Sequence, residues 1–169
     1  MSNNIKDTSK EEMRSIIAEL TNGFKYDLEA GSQVACAVQA MPIEQALPAV
    51  YENLLDMHSG CCFNIATACA YRLHSLGRAV CIIASAEENG IKISLMYRLN
   101  GDAYIADPVE TVKEVHTDID KIVAIPYDDF ITENGEVAIY DLDGEWNNTY
   151  CLTLFSGESN TTVEEFLQS

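Results

Sequence analysis

Two adjacent cysteines, Cys61 and Cys62, open a segment whose apolar spacing is typical of an amphipathic helix. A thiol at a helix N-terminus feels the partial positive charge of unpaired N–H groups, which lowers its pKa and favours the nucleophilic thiolate. Gly60 precedes the pair and permits close approach of backbone or substrate. Cys62, on the inward-facing stripe, is the candidate nucleophile. The alternative is a core role, because free cysteines pack as small apolar side chains, as we expect for Cys69 on the same stripe.

The elements that would position this thiol begin with helices. A capping box at residues 9–12 predicts a first helix that ends at residues 22–23. Residues 27–42 show no clear pattern, and residues 34–40 within them fit either a short helix or a buried strand. Apolar spacing predicts two further helices, over residues 43–57 and 61–76, and Gly77 suits the end of the second.

After Gly77 the apolar period changes to that of strands. Residues 91–99 alternate strictly, and Asn100-Gly101 is a strong hairpin signal. The remaining pattern predicts strands at 79–84, 103–106, 122–125, 137–140 and 150–155, a turn at 87–90 and a short final helix capped at 161–164. Helices followed by antiparallel strands predict an α+β fold. The length of 169 residues predicts one domain, 1–169.

A family resemblance is carried by three short motifs. Gly-Cys-Cys-Phe-Asn at residues 60–64, with Leu-Gly-Arg-Ala at 76–79, resembles the Gly-x-Cys helix of transglutaminase-like domains. The same helix start, with Tyr-Ile-Ala-Asp at 104–107, is similar to arylamine N-acetyltransferases, which share the papain-like core. The resemblance covers residues 54–108. It implies a papain-like, transglutaminase-like domain in which the cysteine helix packs on an antiparallel sheet.

The resemblance also implies a mechanism. In these families a cysteine attacks an acyl carbon to form a thioester, a histidine transfers the proton, and an aspartate orients the histidine. Cys62 occupies the nucleophile position and Asp107 the position of the orienting carboxylate. The alternative for Asp107 is an ordinary Asp-Pro turn that ends a strand.

The histidine of this triad has no counterpart at the matching position. Counting along the hairpin places it near Lys92, and no histidine occurs between residues 79 and 115. Lysine is protonated at neutral pH unless it is desolvated, so it is a poor base. His58 and His116 are the candidate substitutes, whereas His74 should lie on the surface.

Composition limits the partners. The formal net charge of −17, from 27 acidic and 10 basic residues, argues against nucleic acid and against anionic membranes. The polar N-terminus predicts no signal peptide, and no apolar run is long enough to span a membrane. A cytoplasmic location follows as an expectation, with the six cysteines as free thiols. The absence of a CxxC pair and the scattered histidines predict no metal and no cofactor.

The sequence therefore predicts cysteine-dependent acyl transfer or amide hydrolysis through a thioester on Cys62, as in a cysteine acyltransferase or a cysteine peptidase-like enzyme. The substrate would be a peptide or a small acyl compound. A second hypothesis is a fold that lost its base, a pseudoenzyme that binds a basic protein through its acidic surface. A third is an unrelated α+β scaffold whose cysteines are only core.

Overall fold

The computed structural model describes residues 5–88, 90–113 and 120–168. Its helices are α1 (Lys10–Thr21), α2 (Leu28–Ala37), α3 (Ile43–Met57), α4 (Cys62–Ser75), α5 (Glu110–Lys113), α6 (Asp120–Val123), α7 (Tyr127–Asn134), α8 (Tyr150–Leu154) and α9 (Val163–Leu167). Its strands are β1 (Lys25–Tyr26), β2 (Ser59–Gly60), β3 (Val80–Glu87), β4 (Gly90–Leu99), β5 (Asp102–Ala106), β6 (Ile125–Pro126) and β7 (Val137–Asp141). No helix in these ranges has the length and apolar character needed to cross a bilayer.

The N-terminal helices form where the sequence predicts them. The Ser9 hydroxyl caps α1 by accepting a hydrogen bond from the Glu12 N–H, and α3 has the predicted bounds. Asp27 caps α2 by accepting from the Ala30 N–H, so the helical alternative is the right one for this segment. The cysteine helix also forms, with Cys61 as its N-cap residue.

A five-stranded antiparallel sheet has the order β6-β5-β4-β3-β7. The tight turn between β4 and β5 is confirmed, since Asn100 and Gly101 both have positive φ, 52° and 84°. This is the conformation that a two-residue type I′ hairpin needs. The architecture is thus mixed α and β around an antiparallel sheet.

Two apolar layers cover the two faces of the sheet. Alternate residues of β4, including Ile93 and Leu95, pack into the larger layer with α1, α3 and α4. Met96 faces the opposite side, where Phe130 of α7 and Phe166 of α9 cover the sheet. The cysteine helix therefore lies on the face that carries the larger core.

Two predicted strands are wrong. Residues 150–155 form α8 instead, because the Thr149 hydroxyl caps a helix there and the buried residues Tyr150, Cys151 and Leu154 recur at helical spacing. Residues 122 and 123 end α6, and the strand that follows has only two residues, Ile125–Pro126. Among the described residues, five short helices follow the central hairpin, so the predicted order of helices first and strands after is also too simple.

Candidate active site

The start of α4 is fixed by a capping box built on a thiol. The Asn64 N–H donates to the Cys61 side chain, and the Asn64 Oδ1 accepts from the Cys61 N–H at 2.8 Å. Asn64 is only 1% exposed. Cysteine here takes the position that serine or threonine usually holds, so the Cys61 sulfur is held against the N–H groups of the helix.

Two glycines make room for this cap. A Cβ added to Gly31 of α2 would lie 2.6 Å from both the Asn64 Oδ1 and the Cys61 Sγ. A Cβ on Gly60 would lie 2.5 Å from Asn64, and the φ of Gly60, +151°, is one that side chains rarely adopt. The parallel pair β1–β2 holds the two segments together, with the Asp27 N–H donating to the Gly60 carbonyl at 2.8 Å.

Cys62, the predicted nucleophile, is half-buried and faces the sheet. Its Sγ accepts a hydrogen bond from the Ile93 N–H at 3.4 Å. Strand β5 ends at Ala106, which pairs with Leu95, so the β4–β5 ladder stops before Ile93. The sulfur therefore lies at the point where β5 leaves β4.

The pKa values of the two thiols are shifted in opposite directions. A hydrogen bond from Cys62 lowers the pKa of Cys61 to about 6, against the effect of burial and with help from the N–H groups of Phe63 and Asn64. The same hydrogen bond and burial raise the pKa of Cys62, and the negative charges of Cys61 and Asp107 raise it further, against the Ile93 N–H. Burial alone raises the pKa of Cys69 to about 12. The helix start therefore favours the thiolate form of Cys61, whereas burial disfavours the thiolate of the core residue Cys69.

Lys92 and Asp107, the residues matched to the histidine and aspartate of the resembling families, lie in contact. The Lys92 Nζ is 2.5 Å from the Asp107 Oδ2 and 3.5 Å from the Glu110 Oε2. Burial lowers the pKa of Lys92, but the charge and hydrogen bond of Asp107, with Glu110 and Glu87, raise it above its usual value. Lys92 is therefore a cation at neutral pH and has no lone pair to accept a proton.

The histidines lie elsewhere or outside the described residues. His58 ends α3 in the left-handed conformation, is exposed, and is absent from the described lining of the thiol cavity. His74 is exposed as expected and pairs with Asp143 at 2.8 Å. His116 falls in the segment that the structure leaves undescribed. Within the described ranges, the cavity contains the thiols and Lys92 but no imidazole.

A cavity of about 400 Å³ opens at the thiol pair. Its floor is formed by Cys61, Cys62 and Phe63 at the start of α4. The described residues that complete its walls are Tyr26, Leu28, Gly31, Ser32, Ala35, Glu87, Gly90, Ile91, Lys92, Ile93, Val109 and Phe155. The reactive atoms are thus reached from a concave site of ligand-binding size.

Sequence reasoning missed three parts of this site. It treated Cys61 as a neighbour rather than as the thiol whose pKa is lowered. It overlooked Gly31, and it placed Phe155 in a strand. One signal was available, because Asn64 stands three residues after Cys61, which is the spacing of a capping box.

Comparison of the chain with protein-family models, with curated proteins and with solved structures finds no match. The fold and the site define an α+β protein in which Cys61 caps a helix and, together with Cys62, lines a cavity. No cluster of three or more metal-ligating side chains occurs among the residues described.

Proposed function

We propose that this protein is a cysteine-dependent acyl-transfer enzyme of transglutaminase-like type, with Cys62 as the nucleophile. The observation that carries the proposal is the position of the Cys61–Cys62 pair, which lies at the N-terminus of α4 and lines a cavity of about 400 Å³. Nucleophilic catalysis by a thiol requires a neighbouring group that accepts its proton, and access to the substrate. Cys62 has Cys61 beside it as that group and lines the cavity, whereas a core thiol such as Cys69 has neither.

Cys61 supplies the proton acceptor that a histidine supplies in the resembling families. When the Cys62 sulfur attacks the carbonyl carbon of an acyl donor, its proton passes to the Cys61 thiolate. The carbonyl π electrons move to oxygen, where the first N–H groups of α4 can stabilise them. They then return and expel the leaving group as an anion, which leaves a thioester on Cys62. Water or an amine then attacks that thioester, and Cys62 departs as a thiolate. The attacking water or amine releases its proton to solvent.

The Lys92–Asp107 pair restricts the donor. Expulsion of an amine from an amide needs a general acid, and Lys92 is a weak acid because its pKa is raised. A thioester or an activated ester releases an anion that needs no such proton. We therefore expect donors of this class. We also expect an acyl-enzyme that accumulates, because the described lining of the cavity holds no imidazole to assist the second step.

The test combines alkylation with intact-protein mass spectrometry. Iodoacetamide should label the pair at half its maximal rate near pH 6, the pKa of Cys61, whereas N-acetylcysteine should reach half-maximal rate near its ordinary pKa of about 8.5. p-Nitrophenyl acetate should add one acetyl group, and peptide mapping should place it on Cys62. Labelling with the pH profile of the reference thiol, and no adduct, would refute the proposal.

Two serine variants separate the roles of the thiols. Cys62→Ser should lose the adduct. Cys61→Ser keeps an oxygen that can cap α4, but it removes the proton acceptor, so acylation should slow and its pH profile should move to higher pH. Cys36→Ser, at an exposed thiol outside the described cavity lining, is the matched control and should change neither.

The second candidate function is the binding of a basic protein, and the formal net charge of −17 favours it. A lysine-rich peptide would then be retained by wild type and by Cys62→Ser alike, with an affinity that falls as salt rises. Retention of this kind without any acyl adduct would make the binding function the better account.

A further inference from the structure

The lining of the thiol cavity contains several large apolar side chains. Tyr26, Leu28 and Phe155 are among the large apolar side chains left exposed, at 43%, 61% and 50%, and all three line this cavity. Ile91 and Val109 extend the apolar lining. Large apolar side chains that gather at one concave site indicate a ligand-binding surface rather than scattered exposure.

Helix α2 leaves space opposite the cysteines. Leu28, Gly31, Ser32 and Ala35 all line the cavity from this helix, at the spacing of one helical face. Three of the four are small, so this face of α2 takes little space from the cavity. The only one of the four with a large apolar side chain is Leu28, in the first turn of α2.

The charges at the site disfavour acyl donors in which the group that carries the acyl chain is negatively charged. Glu87 and Lys92 are the charged residues of the described lining, and the Lys92 ammonium is already held by Asp107 and Glu110. The chain around the site carries a formal net charge of −17. A polyanionic donor would be repelled from this surface, whereas a neutral or cationic one would not.

We infer that the substrate of the thiol pair is a linear apolar acyl group on a neutral or cationic carrier, with its chain lying between Leu28, Phe155 and Ile91. This inference rests on the proposed function and specifies its substrate class. Each CH₂ that leaves water should raise the rate of acylation about threefold to fourfold, since its burial is worth about 0.8 kcal/mol.

The experiment uses p-nitrophenyl esters from acetyl to octanoyl. The rate of adduct formation on Cys62 is divided by the rate of the same ester with N-acetylcysteine, which removes the intrinsic reactivity. Wild type should favour hexanoyl over acetyl by at least about tenfold. Leu28→Ser and Phe155→Ser should flatten this dependence, because they should lower the hexanoyl rate much more than the acetyl rate. Leu152→Ser is the matched control, because Leu152 is 48% exposed on α8, outside the described lining.

The outcomes separate the two claims. Acetylation of Cys62 with no increase along the series would overturn the apolar acyl site and leave the proposed function standing. Failure of every ester would overturn the proposed function. In that case iodoacetamide and its N-hexyl derivative test the cavity alone: a hexyl preference lost in Leu28→Ser supports the apolar site, and equal rates overturn it.

Discussion

Replacement of Gly31 by alanine tests whether α2 packs closely against the Cys61–Asn64 cap, and the free energy of unfolding is the quantity measured. The φ of Gly31 does not demand glycine, so alanine would ordinarily stabilise α2 by about 1 kcal/mol. The structure predicts instead that Gly31→Ala destabilises the protein. The new methyl group would lie 2.6 Å from the Asn64 Oδ1, 2.6 Å from the Cys61 Sγ and 2.9 Å from the Cys61 nitrogen.

The magnitude follows from these distances. Comfortable contacts begin near 3.4 Å, so α2 or the cap must move by about 0.8 Å. Overpacking of this kind costs about 1–3 kcal/mol. A shift of Asn64 also breaks its buried 2.8 Å hydrogen bond with Cys61, which costs a further 1–3 kcal/mol or so. After the gain in helix propensity, we expect Gly31→Ala to lower the free energy of unfolding by about 2–3 kcal/mol.

Urea denaturation measures this change. At a slope near 2 kcal/mol/M, the midpoint should fall by about 1 M. The pH profile of iodoacetamide labelling should move upward in the same variant, because the Cys61 sulfur loses N–H contacts. Ser32→Ala, at an exposed position on the same helix, is the control and should gain a few tenths of a kcal/mol. A Gly31→Ala protein as stable as wild type would refute the packing argument.

Two further predictions concern Lys92. Lys92→His places an imidazole beside Asp107, so steady-state hydrolysis of p-nitrophenyl acetate should rise at least about tenfold. The double variant Lys92→His/Cys62→Ser should abolish this gain. An unchanged rate in Lys92→His would argue against the match of Lys92 to the histidine position. Lys92→Met should cost about 2–3 kcal/mol in urea unfolding, because the Asp107 side chain is only 8% exposed and loses its cation. Adding Asp107→Asn should recover most of that loss, and no recovery would show that the ion pair is not the cause.

The fold could be predicted where local chemistry and packing agree. Ser9 caps α1, Asn100-Gly101 closes a hairpin, and β4 alternates because one face meets the larger core. Residues 150–155 were misread, since aromatic and β-branched residues favour strands. The burial of Tyr150, whose hydroxyl lies 2.8 Å from that of Thr67, is long-range information that local spacing does not contain.

In the site, too, some features follow from local sequence and others depend on long-range contacts. Cys62 and Asp107 could be singled out from a helix start and from the end of a strand. The lowered pKa of Cys61 depends on the distance between two sulfurs, and the room at Gly31 depends on how α2 meets α4. Neither can be derived from residue order, because each arises from contacts between segments.

Gly31, Gly60 and Asn64 lie on three segments, yet they meet at one helix cap. A bulkier residue at either glycine is tolerable only if the asparagine shrinks or leaves, and the thiol then loses the support that sets its acidity. In sequences still to be compared with this one, the three positions should change together. A homologue that keeps both cysteines but not these three residues should keep the helix and lack the reactive thiol.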